Sequence, residues 1–211
     1  MEDAAKVGPS VAVRHEPVQA RAAQRVEELL DAAAAVVDEH GIEHLTTALV
    51  AERAGASIGT VYRYFPDRVA VLVALATRNL ERMRLSVERV AAQEHETWAD
   101  AMEAMAEAFV ETFRTVPSFR SLRTGNSLDL GPDRLESSTP VLVDDVVLML
   151  EHRWGMQLDD AQREAVDTAI GVLDALVCYA FTHDPHGEQR YLDLAVRHAR
   201  EALYEALPDP R

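Results

Sequence analysis

A chain of 211 residues has room for one domain or for a small domain fused to a larger one. Apolar residues at 48% and charged ones at 27% exclude a disordered or fibrous chain, and the single cysteine, Cys178, excludes an internal disulfide. A formal charge of −15 repels nucleic acid over most of the surface, so any DNA contact has to come from a local patch.

The start, Met1-Glu2-Asp3, lacks the basic-then-apolar pattern of a secretory signal, and with the lone cysteine this points to the cytoplasm. Residues 1–19 mix Gly8, Pro9, Ser10 and Pro17 without helical period and are expected to form a mobile arm. Over residues 20–40 the apolar positions Val26, Leu29, Leu30, Ala33, Val36 and Val37 recur at helical spacing, and Gly41 stops the helix. A short second helix, capped by Thr46 or Thr47, runs to Ala54 with Gly55 as its left-handed end, and Ser57 caps a third that reaches Tyr64.

Pro66 is tolerated in a first helical turn and is expected to open a long fourth helix over residues 66–92. A fifth helix over residues 97–115 carries Trp98, Met102, Met105, Phe109 and Phe113 on one face; Pro117 closes it, and a short helix spans residues 118–124. Residues 125–140 read as the longest loop of the body, followed by helices at residues 140–154, 159–183 and 187–207. The most apolar long stretch, residues 165–181, contains Asp167 and Asp174, so it reads as a buried helix and not as a bilayer span. With no strand alternation and no repeat, the expected fold class is all-α, with about nine helices.

Residues 45–64 fit a helix-turn-helix. Ala51, four before Gly55, is small enough for two helices to approach; Gly55 permits the turn; Val61, six residues on, fills the wedge with Val50. The third helix offers Ser57, Thr60, Tyr62 and Tyr64, whose hydroxyls can bond phosphate oxygens, and Thr47 adds a hydroxyl at a helix start. Gly59 lets backbone come close to base edges, Ile58 can touch a thymine methyl group, and Arg63 is the adjacent cation. Up to Leu72 there are 7 basic residues against 11 acidic ones, yet from Arg53 to Arg68 three arginines face one acid, Asp67. The competing reading is an ordinary helical hairpin in which Tyr62, Tyr64 and Phe65 are core aromatics; Val61 and Phe65 belong to the core either way. In the arm, Arg14 and Arg21 are either solvated or in reach of phosphates and the minor groove.

The run from Thr46 to Phe65, followed by Arg68 and Leu72, resembles the tetracycline-repressor (TetR) family of bacterial transcription regulators, over residues 20–75. The resemblance implies a homodimer on a near-palindromic double-stranded DNA operator, released by a small-molecule effector. It implies a helix-turn-helix DNA-binding region at residues 20–65 and a regulatory body for ligand binding and dimerisation at residues 66–211. It also casts Arg68, where the family most often has lysine, as a phosphate clamp, and puts Ile58 where many members have a polar or basic residue.

The same resemblance places a pocket among the fourth to eighth helices. Candidate lining residues are Trp98, Met102, Met105 and Phe109, with Arg120, Arg123, Asn126, Asp174 and Tyr179 as polar groups; such a stripe on the fifth helix is more often plain core than pocket wall, although methionines suit an adaptable cavity. Asp174 lies in an apolar run, so it requires a cationic partner or a changed protonation state, and an arginine is favoured over a ligand. Val166, Ile170, Leu173 and Val177 on the eighth helix and Leu192, Ala195, Ala199 and Leu203 on the ninth form stripes that either build a four-helix dimer interface or face their own core. His183 and His186 straddle Pro185 and neither HExxH nor CxxC occurs, so no metal and no cofactor is expected. Cys178, without a second cysteine, reads as a small buried side chain. No nucleophile has a legible base beside it, which argues against an enzyme. The alternative class is a helical small-molecule-binding or catalytic protein with lost or secondary DNA binding; loss of DNA binding on Tyr62→Ala or Arg68→Ala separates the two.

Overall fold

The computed structural model describes residues 16–124 and 139–209, all of whose regular structure is helical. In chain order the elements are α1 (Glu16–His40), a 3₁₀ turn (Ile42–His44), α2 (Thr47–Arg53), α3 (Ile58–Tyr64), α4 (Arg68–Ala91), α5 (Trp98–Thr115), α6 (Pro117–Thr124), α7 (Thr139–Trp154), α8 (Asp160–Phe181) and α9 (Gln189–Ala206). No described helix is long and apolar enough to cross a membrane.

At two helix starts the difference from expectation has a clear local reason. Helix α1 begins at Glu16, so the last four residues of the expected arm are helical; Pro17 then stands in the first turn, where a missing N–H has no intrahelical partner to lose. Helix α4 begins at Arg68 and not at Pro66, because the Asp67 carboxylate takes the cap and accepts from the Ala70 N–H at 2.8 Å. The rest of the arm and residues 125–138 of the expected loop lie outside the described residues; Thr139 and Pro140 belong to α7. Asp159 caps α8 reciprocally with Gln162, a capping box.

Two hydrophobic clusters result. The first gathers Leu29, Leu30, Val36 and Val37 of α1, Val50 and Ala51 of α2, Val61 of α3 and Val71, Leu72 and Leu75 of α4. The second gathers Met83 and Val87 of α4, Trp98, Phe109 and Phe113 of α5 and buried residues of α7, α8 and α9. Helix α4 serves both because its apolar stripe continues along its length. The short α6 also serves both, giving Leu122 to the first and Phe119 to the second. At the junction the buried Asn79 amide of α4 donates to the Ser118 hydroxyl of α6 at 3.3 Å, satisfying two polar groups that would otherwise be costly to bury.

Helices α8 and α9 require a correction to the expected interface. Val166, Val177, Leu192, Ala195 and Leu203 are all buried within the chain's own core. Ile170, Leu173 and Ala199 are half-buried and pack against that same cluster. A 3.6-residue stripe announces that a face is covered, not by what; here the cover is the chain's own, α8 packing on α5, α6, α7 and α9, and α9 on α8 and α5.

Candidate nucleic-acid interface

Thr46 caps α2, its hydroxyl accepting from the Leu49 N–H at 3.1 Å, and Ser57 caps α3, accepting from the Thr60 N–H at 3.1 Å. Between them Gly55 sits at φ 57, the left-handed region that a Cβ penalises. Its N–H bonds the Glu52 carbonyl at 3.1 Å and the next N–H, of Ala56, bonds the Ala51 carbonyl at 2.8 Å. That pairing is a Schellman end, which stops α2 and turns the chain within four residues. The small Ala51 lies buried at the crossing and Val61 is wholly buried behind α3.

With Val61 and Phe65 facing inward, α3 turns its other side to solvent. Ile58 is 48% exposed and Tyr62 51% exposed, and Gly59 and Arg63 are exposed beside them. Thr47, buried at the start of α2, donates its hydroxyl to the Tyr62 phenol oxygen at 3.3 Å, tying the exposed ring to the preceding helix. The hydroxyls of Ser57 and Thr60 lie 2.9 Å apart at the helix start, and the Arg63 guanidinium stands 5.8 Å from the ring centre of Tyr64. Ser57, Ile58, Gly59, Thr60, Tyr62 and Arg63 are therefore brought together on or beside one outward face. Tyr64 is half-buried and packs on the first core.

The guanidinium of Arg68 is turned the other way. Its Nε donates to the Leu45 carbonyl at 2.8 Å and its Nη2 to the Ile42 carbonyl at 2.7 Å, so it ties the segment before α2 to the start of α4. A planar fork suits two carbonyls as it suits a phosphate; the residue expected as a clamp acts in this structure as a positioning residue. A second tie, between Arg53 on α2 and Glu39 on α1, is bidentate, with Arg53 Nη1 to Glu39 Oε1 at 2.7 Å. The hydrogen bond from Arg53 holds the Glu39 carboxyl below its ordinary range. No spacing rule reaches a pair 14 residues apart across a turn, so this contact leaves no signal in the sequence.

In the body, Met102, Met105 and Phe109 line a small cavity with Asp174 at its wall, and Trp98 and Met102 line a second beside it. Asp174 Oδ1 pairs with Arg123 Nη2, and that same nitrogen reaches the Cys178 sulfur at 3.6 Å. Burial opposes the Arg123 charge, but the neighbouring Asp174 and Cys178 outweigh it and the group ends above its ordinary value. Tyr179 is not in either cavity: it is 52% exposed and packs edge-on against Tyr191, ring centres 4.6 Å apart. Arg120 instead caps the Phe113 carbonyl at 2.8 Å, and Asn126 lies outside the described residues. On α1, burial raises the Asp38 carboxyl above its ordinary range, although the Ser118 N–H and Arg120 of α6 draw it down.

The Cys178 thiol is pushed up to about 11 by burial and by Asp174, against the pull of Arg123. The thiolate is the reactive form, so at pH 8 its population, and with it the rate of alkylation by iodoacetamide, is expected to be about 100-fold below that of an ordinary cysteine. The rate should climb about tenfold per pH unit toward that value; a rate at pH 8 equal to that of a free thiol would contradict the arrangement.

Two family models match the chain: that of the bacterial regulatory proteins of the tetR family over residues 29–75, and that of the tetracyclin repressor-like C-terminal domain over residues 96–207. The HTH-type transcriptional repressor KstR of Mycolicibacterium smegmatis is 40% identical over 68 residues, which is 32% of this chain and 33% of that protein, so this relative is matched over only about a third of its length. The nucleoid occlusion factor SlmA of Actinobacillus pleuropneumoniae is 25% identical over 190 residues, covering 85% of this chain and 92% of that protein. Among solved structures, a TetR-family transcriptional regulator from Streptomyces coelicolor superposes with a TM-score of 0.71 at 30% identity, covering 89% of this chain and all of that one (100%). The chain belongs to the TetR family of bacterial regulatory proteins, DNA-binding transcriptional regulators built from an N-terminal helix-turn-helix and a helical C-terminal domain.

Proposed function

We propose that this chain is a cytoplasmic homodimeric repressor that binds a near-palindromic DNA operator through α3 and is released from it by a small molecule held in the body. The observation that carries the reading is the split of α3, with Val61 anchored in the core and Ile58, Gly59, Tyr62 and Arg63 exposed together. Ile58 and Gly59 suit close approach to thymine methyl groups and base edges, Arg63 reads or neutralises, and the hydroxyls of Ser57, Thr60 and Tyr62 hold phosphates. No catalytic role is assigned. Residues 20–65 are the DNA-binding region and 66–211 the regulatory body, with α4 running from one into the other.

The dimer is proposed on the outward side of α8 and α9, where Val172, Ala175 and Tyr179 on α8 continue into Tyr191 and Leu194 on α9 through the Tyr179–Tyr191 contact. Two recognition helices would then stand about 34 to 36 Å apart, or at a longer spacing on a wider operator, to enter successive major grooves. Helix α6 supplies a route between the sites: Arg123 grips Asp174 at the cavity, Leu122 packs in the first core, and Ser118 and Arg120 face Asp38.

The test is selection of binders from sheared genomic DNA, followed by fluorescence anisotropy at two salt concentrations against shuffled duplexes. A few palindromic sites with a steep salt dependence are expected. Weak, sequence-indifferent binding by the folded protein would overturn the reading, as would a monomer at micromolar concentration.

A further inference from the structure

Three cavities of the body stand in a row. An open groove of about 350 Å³ between α4 and α7 shares Val87, Met105, Leu142 and Val146 with the cavity that holds Asp174, itself about 60 Å³. That cavity in turn shares Met102, Ala106, Ile170 and Leu173 with the one of about 50 Å³ beside Trp98 and Tyr204. Each shared wall contains a methionine, Met105 in the first and Met102 in the second. Methionine is unbranched, with three rotatable bonds and a polarisable sulfur, so these are the wall members that turn aside most easily. Rotation of Met102 would join the two inner spaces into one elongated apolar channel, entered past Met105.

The channel's electrostatics restrict what fits. Asp174 is the only ionisable side chain among the described residues lining the middle cavity, and it is already neutralised by Arg123. A charged ligand there would meet apolar walls and no spare counter-charge, and the desolvation penalty would select against it. Both hydrogen bonds of the Asp174 carboxylate fall on Oδ1, from Arg123 and from Cys178, leaving Oδ2 without one among the described residues. An ionised carboxylate only accepts, so the complement to Oδ2 is a donor.

We propose that the effector is a neutral, elongated, apolar molecule with a hydroxyl or amide group that donates to Asp174 Oδ2 while its apolar part crosses the Met102 ridge toward Trp98. The proposal rests on the reading of the body as the effector site. It is tested on the full-length protein with four probes of one chain length, 1-decanol, decyl methyl ether, decanoate and decylamine. Binding is measured by displacement of Nile red and by release of the selected operator.

The alcohol is expected to bind about tenfold tighter than the ether, the worth of one hydrogen bond, and tighter than either ion. Along the alkanol series affinity is expected to rise about fourfold per methylene until the channel is full. Met102→Trp, which fills the shared wall, should stop that rise at a shorter chain; the parent protein's series carries the same test without it. Equal binding of alcohol and ether, or no dependence on chain length, overturns the proposal. Tighter binding of decanoate or decylamine with operator release overturns the neutral ligand and keeps release by an effector. Failure of all four probes overturns the proposal, and if a metabolite extract also fails to release the operator, release by an effector falls with it.

Discussion

A Gly59→Glu variant is expected to fold at least as stably as its parent and to lose operator affinity by about 100-fold or more. Within the chain nothing resists the change. A Cβ at position 59 would meet only the Ser57 hydroxyl oxygen, at 3.8 Å, and the residue lies in the first turn of α3 with its side open to solvent. Replacing glycine in a helix gains up to about 1 kcal/mol, and a carboxylate near a helix N-terminus adds about 0.3 to 1 kcal/mol. Against DNA the same carboxylate stands where backbone must come close, between Ile58 and Tyr62, and it repels phosphates and base acceptors alike. Each half-site of a dimer would lose about 1 to 3 kcal/mol, and the two losses multiply in the binding constant. Urea unfolding and anisotropy on one preparation read the two opposite signs, with Gly59→Ala as the control that keeps most of the helix gain and adds no charge. Parent-like affinity with intact helicity would remove the start of α3 from the interface.

That split of α3 is legible in the amino-acid sequence because everything that makes it is local. Thr46 and Ser57 cap the next turn, Gly55 ends the helix just behind it, and the spacing from Ala51 to Val61 decides which side is buried. Contacts that depend on distant chain are not legible in the same way. Arg68 meets carbonyls 23 and 26 residues upstream, and only the fold brings them to it. For Asp174 the sequence carries a necessity, a cation beside a carboxylate in an apolar run, but not the identity of Arg123, which arrives from 51 residues away. The stripes of α8 and α9 show the limit most plainly. Val166, Val177 and Leu192 are periodic for the reason any amphipathic helix is, and a partner's surface and the chain's own core leave the same period. Apolar neighbours in the chain point Tyr179 toward a pocket, whereas a ring at the end of a long helix meets Tyr191 on the helix that packs back against it.

Phe113→Ala is expected to destabilise the protein by about 3 to 5 kcal/mol, and to lower the midpoint of thermal unfolding by about 10 °C or more. Phe113 is wholly buried and is the hub of an aromatic group, with Phe109 at 5.3 Å, Phe119 at 5.0 Å and Phe181 at 5.1 Å between ring centres. The change removes the ring from water-free space and leaves a void walled by three rigid side chains from α5, α6 and α8, which do not collapse as a methionine would. Phe113→Leu fills most of that space and should lose less than half as much. The unfolding is to be followed in urea at a fixed protein concentration, since the stability of a dimer depends on it. The functional consequence runs through α6. Phe119 loses the edge-on partner that seats it, and it shares its short helix with Leu122 in the first core and with Arg123 at Asp174. A shift of that helix would loosen both ends of the connection between effector and DNA, so operator release by effector is expected to weaken even at temperatures where the variant stays folded. A loss of stability below about 1 kcal/mol would mean that the site closes on itself, and that α6 is held by its polar contacts and not by the ring cluster.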